Sequence, residues 1–387
     1  MSDHDVIIIG GGPAGSSAAT RLAEAGLRVL LLEEKRMPRG KLCGEYITPE
    51  CFPTLHRLKV MERIVEAGAQ KITRLSLVVS KDRIVQTPIS KMSDVAEYAL
   101  SLSRARFDHL LFERAREVGA SCLESIAVKQ CVFENGAAIG VEALSLEDGN
   151  PVRFDAPLIV DASGRNSRLT VRRDERAVGR RGSRLYALKA HLSGVEGVKE
   201  QVELYFFSQG YGGLSLVEDG LVNLCFIASE STVRELHGDA QKIMGQTVMT
   251  NSLARERLHS AEVAGKWFSV GPLAFGRRRL SQDGIIAIGD ASGMIDPFTG
   301  TGIQIALRSG EIAAEAIIES FSQKAMRLRE EVLARYKAGY EREFGKRMQV
   351  AGLLRRVVFS PRVARVIAGV MSRSPRLTQM MLRATRK

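Results

Sequence analysis

The sequence predicts a chain of mixed α/β (α+β) class, with a doubly wound domain, a β-sheet domain and a helical carboxyl-terminal tail. Three observations lead to this prediction. A glycine-rich turn follows an apolar run near the amino terminus, a second run-and-turn unit surrounds residue 290, and residues 167–280 alternate between polar and apolar types. With 387 residues and 45% hydrophobic content, the chain can fill two packed domains.

The first unit begins with Val6–Ile9, a β-branched run that indicates a strand covered on both faces. A helix ending near Gly26 and a strand over Leu27–Leu32 follow the turn. The start of that helix offers N–H groups to a pyrophosphate, and an acid about 20 residues further on can bind ribose hydroxyls. NAD and FAD proteins share this pattern, so it leaves the cofactor open. The predicted cofactor contacts here are Gly10, Gly12, Pro13, Ala14, Gly15, Glu33 and Glu34.

The second unit has a strand over Ile285–Ile288, a tight turn, a Pro/Gly loop and a helix beginning near Ile303. It resembles the second FAD fingerprint of flavoproteins with the p-hydroxybenzoate hydroxylase fold. The resemblance implies a Rossmann-like FAD-binding domain in which Asp290 holds the ribityl hydroxyls. The loop would then lie under the isoalloxazine, with the helix start facing its N1–C2=O edge. The contacts implied in this unit are Gly289, Asp290, Pro297, Gly300, Thr301, Gly302 and Ile303.

Two further segments resemble the same family. Ser101–Ala120 is similar to a helix in which Arg104 would contact the cofactor, and Ala156–Leu169 is similar to the "DG" element. The resemblance implies that Asp161 and Gly164 contact the cofactor, and Val128 is also predicted to contact it. Ser163 replaces an acid that the hydroxylases link to NAD(P)H. The sequence has no separate fingerprint for a second nucleotide such as NAD(P)H, so we expect a separate electron donor or reductase.

The segment Lys35–Leu58 resembles geranylgeranyl reductases and related flavoprotein oxidoreductases, including some halogenases. The resemblance implies that this segment borders the flavin. Its matching residues are Pro38, Arg39, Lys41, Cys43 and Gly44, of which all but Pro38 are predicted to bind the cofactor. Cys43 is the candidate catalytic side chain, the alternative being a small buried hydrophobe. Otherwise the flavin itself would carry the chemistry.

The alternating segment predicts sheet strands with turns at Gly210, Gly212–Gly213 and Asp219–Gly220. These strands would form the wall over the flavin. The predicted substrate contacts are Tyr205, Phe207, Tyr211 and Leu214. The expected substrate is an apolar isoprenoid, lipid or polyketide-type molecule.

The predicted organisation divides the chain into six segments. Three of them, residues 1–75, 101–170 and 281–322, form the FAD-binding domain. Residues 76–100 and 171–280 supply the substrate domain, and residues 323–387 form the basic helical region.

The function expected from these features is that of an FAD-dependent oxidoreductase, with hydride transfer at N5 to or from a C–C bond. The alternatives are a monooxygenase or distant halogenase that uses a C4a-peroxide, and a non-catalytic binding protein on the same fold. The six histidines show no metal-ligand spacing, so no metal is expected.

The net charge of +12 is concentrated in the tail, where 17 basic and 4 acidic residues follow residue 320. Apolar residues at helical spacing, such as Val363, Val366 and Ile367, alternate with arginines. Such a tail can contact an anionic membrane as a peripheral element or pack on its own domain. No nucleic-acid module is visible. Without a basic, apolar leader, the expected location is cytoplasmic, with contact at the inner membrane face.

Overall fold

The computed structural model describes residues 3–167, 169, 184–208, 210–273, 275–294, 298, 300–323 and 328–358. Its helices are α1 (Pro13–Glu24), α2 (Phe52–Arg57), α3 (Met61–Glu66), α4 (Arg104–Glu117), α5 (Glu230–Glu235), α6 (Ala240–Gln246), α7 (Ser252–Arg257), α8 (Gly302–Ser322) and α9 (Leu328–Val358).

The strands of the described residues fall into five sheets. They are β1 (Val6–Ile9), β2 (Val29–Leu32), β3 (Tyr46–Ile47), β4 (Gln70–Ile72), β5 (Arg74–Ser80), β6 (Arg83–Pro88), β7 (Ala99–Ser101), β8 (Ser121–Leu123), β9 (Ile126–Glu134), β10 (Ala137–Ser145), β11 (Pro151–Asp155), β12 (Leu158–Asp161), β13 (Leu185–Ser193), β14 (Gln201–Phe207), β15 (Gly210–Leu216), β16 (Val222–Ser229), β17 (Glu262–Val270), β18 (Gly276–Arg277), β19 (Ser281–Gln282), β20 (Ile285–Ala287) and β21 (Gly293–Met294).

The first sheet has the order β19-β20-β12-β1-β2-β8 and is parallel except for β19 at one edge. β1 lies near its middle, and each of its four side chains is at most 6% exposed. An uninterrupted apolar run predicts such burial on both faces, and here Val6 and Ile8 pack with α1 and α8 while Ile7 and Ile9 pack with β9 and β10 on the other face. The carboxyl ends of β1, β12 and β20 therefore lie side by side, and the predicted fold class is confirmed.

Helices α1 and α8 pack closely on one another through small residues. A Cβ built on Gly310 would lie 2.3 Å from the Ala14 carbonyl oxygen, so a side chain at this position would push the helices apart. The Ser17 hydroxyl also donates to the Leu307 carbonyl at 2.9 Å. The packing joins two helices whose contacting residues are 290 positions apart in the sequence, and the first residues of both helices line the same cavity.

The seven-stranded sheet has the order β17-β13-β16-β15-β14-β5-β6. The turn predicted at Gly212–Gly213 is wrong, because both glycines lie inside β15 and pair with strands on either side. A Cβ on Gly212 would lie 2.7 Å from the Phe226 Cβ, so the missing side chain makes room for the neighbouring strand. The turn predicted at Asp219–Gly220 is confirmed. The domain boundaries inferred from the sequence stay a prediction.

The carboxyl-terminal region begins with α9, whose Tyr336, Tyr340 and Phe344 pack into the core beneath the parallel sheet. The predicted amphipathic pattern over Val363, Val366 and Ile367 lies outside the described residues. In the part of the chain that the structure describes, no helix is both long and apolar enough to cross a membrane.

The Glu311 side chain on α8 binds two side chains of α2. Its carboxylate is buried and accepts hydrogen bonds from Arg57 Nε at 2.7 Å and from the Thr54 hydroxyl at 2.7 Å. Burial acts to raise the pKa of Glu311, but the hydrogen bonds from Arg57 and Thr54 outweigh it and the pKa lies below its usual value. The stabilisation is therefore present at neutral pH and is lost as the pH falls through that lowered pKa.

We expect Glu311→Gln to lower the free energy of unfolding by about 1–3 kcal/mol at pH 7, the range for hydrogen bonds to a charged group. The difference from wild type should shrink as the pH falls below about 4.5 and through the lowered pKa of Glu311, where the wild-type carboxylate becomes protonated. Urea unfolding in a pH series from about 7 down to about 3 measures both effects. The control is Glu315→Gln, which removes a half-exposed partner of Arg308 on the same helix and should change stability by less than about 0.5 kcal/mol. Equal effects of the two substitutions would contradict the prediction.

Candidate cofactor and active site

The first glycine-rich turn is shaped by close backbone contacts. Gly10 has a φ of +108°, and a Cβ there would lie 2.5 Å from the Ala162 carbonyl oxygen. A Cβ on Gly15 would lie only 1.9 Å from the Gly10 carbonyl oxygen. No side chain caps the start of α1 at Gly12. The first N–H groups of the helix are thus available to an anion in the adjoining cavity.

Glu33 lies at the end of β2, where its buried carboxylate accepts the Gly11 N–H at 2.9 Å. The same carboxylate binds Arg39 through Nε at 3.1 Å and Nη2 at 3.0 Å. Arg39 also donates to Asp108 at 2.8 Å. Arg39 therefore joins the first turn to α4, and its expected contact with the flavin stays a prediction. Glu34 is exposed.

Asp108 and Arg104 extend this row of buried charges along α4. Arg104 Nε donates to Asp108 Oδ1 at 2.6 Å, and the Arg104 guanidinium also lies beside the Cys43 thiol. Burial acts to raise the pKa of Asp108, but Arg104 and then Arg39 outweigh it and the pKa is lowered. The carboxylate is consequently charged at neutral pH, and it compensates the two guanidinium groups.

The second turn reaches the same cavity from α8. Gly289 donates its N–H to the Ser309 hydroxyl at 2.9 Å, and a Cβ on Gly289 would lie 2.9 Å from the Ala14 Cβ. The predicted residues Asp290, Gly300, Gly302 and Ile303 line the cavity. Thr301 is buried at the start of α8, and Pro297 lies outside the described residues.

The "DG" element contributes Gly164 and Arg165 to the cavity wall. Asp161, at the end of β12, does not face the cavity. Its carboxylate instead accepts the Ser163 N–H at 3.1 Å and the hydroxyls of Ser163 and Ser167. Asp161 therefore shapes this loop from within.

Lys41, Cys43 and Gly44 line the cavity together, on the segment between β2 and β3. Burial, followed by the nearby Arg104 and Arg39, lowers the pKa of Lys41. Among the described residues Lys41 Nζ has no hydrogen-bond partner, and the buried Arg165 Nε also has none. Two cations in one wall leave positive charge, and the pyrophosphate of a dinucleotide would neutralise it. The donor set thus fits FAD.

The cavity has a volume of about 260 Å³ and extends from these loops to the seven-stranded sheet. The wall residues that the sequence did not reveal are mostly apolar. They include Tyr46, Leu75, Met92, Val202, Leu204, Ser215, Phe226, Ile227, Leu273 and Phe298. A sequence gives the alternation of a strand but not which of its faces meets the cofactor, so these residues could not be selected in advance.

Only Tyr211 of the four predicted substrate contacts lines the cavity. The predictions for Tyr205, Phe207 and Leu214 are wrong, because these residues pack with the helices on the opposite face of the sheet. The reason is the two-residue period of a strand: Val202 and Leu204 face the cavity, so Tyr205 points away. Val128 lies on β9, against the apolar core on the face of the parallel sheet opposite α1 and α8, and does not line the cavity either.

The geometry defines a dinucleotide-binding flavoprotein, and comparison with known proteins agrees. The family model described as "FAD binding domain" matches residues 3–342, so the chain belongs to this family and its cofactor is FAD. The protein is an FAD-dependent oxidoreductase. The roles of the individual residues toward FAD stay predictions.

Relatives in two activity groups are similar to the chain. It is 29% identical to digeranylgeranylglycerophospholipid reductase 2 of Methanopyrus kandleri, over 90% of this chain and 85% of the relative. It is 23% identical to 1H-pyrrole-2-carbonyl-[peptidyl-carrier protein] chlorinase of Pseudomonas fluorescens, over 83% and 77%. The structure of the myxobacterial chondrochloren halogenase CndH superposes with a TM-score of 0.79 at 23% identity, over 90% and 82%, which shows a shared fold.

Gly15→Ala should weaken FAD binding at least about tenfold, equivalent to 1.4 kcal/mol. The physical reason is the 1.9 Å approach of its Cβ to the Gly10 oxygen, which forces the first turn open. Fluorescence titration of the apoprotein with FAD measures the change. The matched control is Gly245→Ala on α6, where a Cβ meets open space and the substitution should leave FAD affinity unchanged. Wild-type affinity in Gly15→Ala would show that the turn does not hold the cofactor.

Proposed function

We propose that the protein transfers hydride between flavin N5 and a C–C bond of an apolar small molecule of isoprenoid, lipid or polyketide type. The observation that carries this proposal is the continuity of the cavity, which joins both cofactor turns to a wall of aliphatic and aromatic side chains. Such a wall favours an apolar substrate because it excludes water and offers few hydrogen bonds. The similarity to a reductase named for a geranylgeranyl lipid supports the same choice.

The wall would orient the substrate by shape. Phe298 makes an edge contact with Tyr211 at 5.5 Å between ring centroids and packs against Phe206 at 6.0 Å. These aromatic contacts connect the second cofactor loop to β14 and β15. The chain thereby fixes the distance between cofactor and substrate wall with packed side chains, which a hydride transfer requires.

When bound, FAD supplies two-electron redox chemistry at N5. Saturation of a C–C double bond also consumes a proton, and Cys43 is the cavity-lining thiol proposed to hold it. The Cys43 Sγ accepts the Glu45 N–H at 3.3 Å. Cys225 also lines the cavity, but burial, followed by the effect of Cys43, raises the pKa of its thiol to about 12. Cys225 therefore keeps its proton at neutral pH.

A separate electron donor or reductase is part of the proposal. The Asp161 carboxylate is engaged by Ser163 and Ser167 within its own loop. This arrangement supports the inference, made from the Ser163 replacement, that NAD(P)H does not act directly at the "DG" element.

The reaction can be tested with photoreduced holoenzyme, without oxygen, and digeranylgeranylglycerophospholipid as the probe. We expect the flavin to be reoxidised and a saturated bond to appear in the lipid by mass spectrometry. Leu204→Trp should slow this step at least about tenfold by filling the cavity, with FAD affinity retained, whereas Tyr205→Phe on the opposite face should not. Product that forms only after oxygen is admitted would favour the monooxygenase or halogenase alternative. A probe left unchanged under both conditions would count against the lipid as substrate.

We also propose that the basic tail makes peripheral contact with the cytoplasmic face of the membrane. The support is the excess of 17 basic over 4 acidic residues after residue 320. Replacement of Arg355, Arg356, Arg362 and Arg365 by Gln should weaken binding of the full chain to vesicles containing phosphatidylserine, by about 1 kcal/mol for each lost charge near the surface. Co-sedimentation measures the change, with neutral phosphatidylcholine vesicles as control. Equal binding to both kinds of vesicle would refute an electrostatic contact.

A further inference from the structure

Glu45 directly follows Lys41–Gly44, lines the cavity with that segment and has an unusual backbone. Its φ is +55°, in the left-handed region that non-glycine residues rarely adopt, and no part of the residue is exposed. A strained residue at such a position needs contacts that hold it there.

The Glu45 carboxylate has three partners from two domains. Oε1 accepts the backbone N–H of Arg104 at 2.7 Å and a hydrogen bond from the Lys189 ammonium. Oε2 lies 2.6 Å from His191 Nε2. Lys189 and His191 are two residues apart on β13 and therefore point to the same face of the sheet. One buried carboxylate thus joins the start of α4 to the seven-stranded sheet.

The same sheet also binds the backbone of the segment directly. Lys189 Nζ donates to the Lys41 carbonyl at 3.1 Å, and Asn223 Nδ2 donates to the Cys43 carbonyl at 3.3 Å. At the other end, the Ser101 hydroxyl donates to the Glu45 carbonyl at 3.0 Å. The segment that faces the cofactor is therefore fixed at both ends by side chains that do not belong to it.

The stability of this arrangement depends on the opposite charges of Glu45 and Lys189. Burial acts to raise the pKa of Glu45, but the hydrogen bond from His191 and the Lys189 charge outweigh it and the pKa is lowered. Lys189 is 1% exposed and its charge is compensated by Glu45. Removal of the carboxylate would leave a buried ammonium without its counter-ion, which is costly.

We propose that Glu45 is a positioning residue for FAD: through Lys189, His191 and Arg104 it holds Lys41–Gly44 in the conformation that faces the flavin. Glu45 thereby determines the affinity for FAD and the asymmetric protein environment of the bound isoalloxazine ring. The inference rests on FAD binding and not on the reaction proposed above.

The test compares Glu45→Gln with Glu218→Gln in the full chain. Glu218 is a matched control because it is also buried, also accepts an N–H at the start of α4 (that of Ser103, at 2.9 Å) and does not line the cavity. We expect Glu45→Gln to raise the dissociation constant for FAD at least about tenfold. It should also alter the visible circular dichroism and the midpoint potential of the bound flavin. Glu218→Gln should leave the dissociation constant within about twofold of wild type and the dichroism and midpoint potential unchanged, even where it lowers the melting temperature.

A double variant separates positioning from stability. In Glu45→Gln with Lys189→Met, both buried charges are removed, so the melting temperature should recover relative to Glu45→Gln. FAD affinity and the visible spectrum should stay altered. A folded double variant with wild-type affinity, dichroism and potential would overturn the proposal, and so would a wild-type result for Glu45→Gln. Loss of lipid reduction with these three flavin properties unchanged would instead count against the proposed function.

Discussion

The packing of α1 against α8 is the contact on which the cofactor site depends. Gly310 lets the two helices approach so closely that a single Cβ would collide with the Ala14 carbonyl. Each helix begins at a glycine-rich turn, so this approach brings both turns to the same edge of the parallel sheet. A dinucleotide that spans both turns requires their spacing to be fixed before it binds, and close-packed helices fix it because protein interiors deform little.

The second feature of the site is the arrangement of its buried charged side chains. Glu33, Arg39, Asp108 and Arg104 form a buried row in which each carboxylate is shared with a guanidinium, so the row needs no external ion. Lys41 lies near this row, and it shares the cavity wall with Arg165 and the carboxylate of Asp290. Asp290 offsets only part of the positive charge of Lys41 and Arg165, so a ligand can neutralise the rest. A cofactor with a pyrophosphate therefore completes an electrostatic balance that the protein leaves open.

The seven-stranded sheet completes the cavity from the opposite side. Its inner face is apolar and aromatic where it lines the cavity, and beside that wall Lys189, His191 and Asn223 contact the segment after β2. Its outer face packs against short helices and contains the buried Glu203–Arg257 pair. A sheet with two covered faces can place a substrate wall on one side without losing stability on the other. The segment after β2 contacts both α4 and this sheet.

Local patterns in the sequence determined the units that bind the nucleotide. Val6–Ile9, the following glycines and α1 were predictable because strand, turn and helix are specified by neighbouring residues. Glu33 was predictable as an acid at the strand end, but its ion pair with Arg39 was not. Likewise, Leu204 and Tyr205 both suit a half-buried strand, and only the packing of the sheet decided that Leu204 faces the cavity. Burial of the Glu45 carboxylate had no sequence signal, because its partners lie 59 to 146 residues away and meet only when the seven-stranded sheet packs against the start of α4.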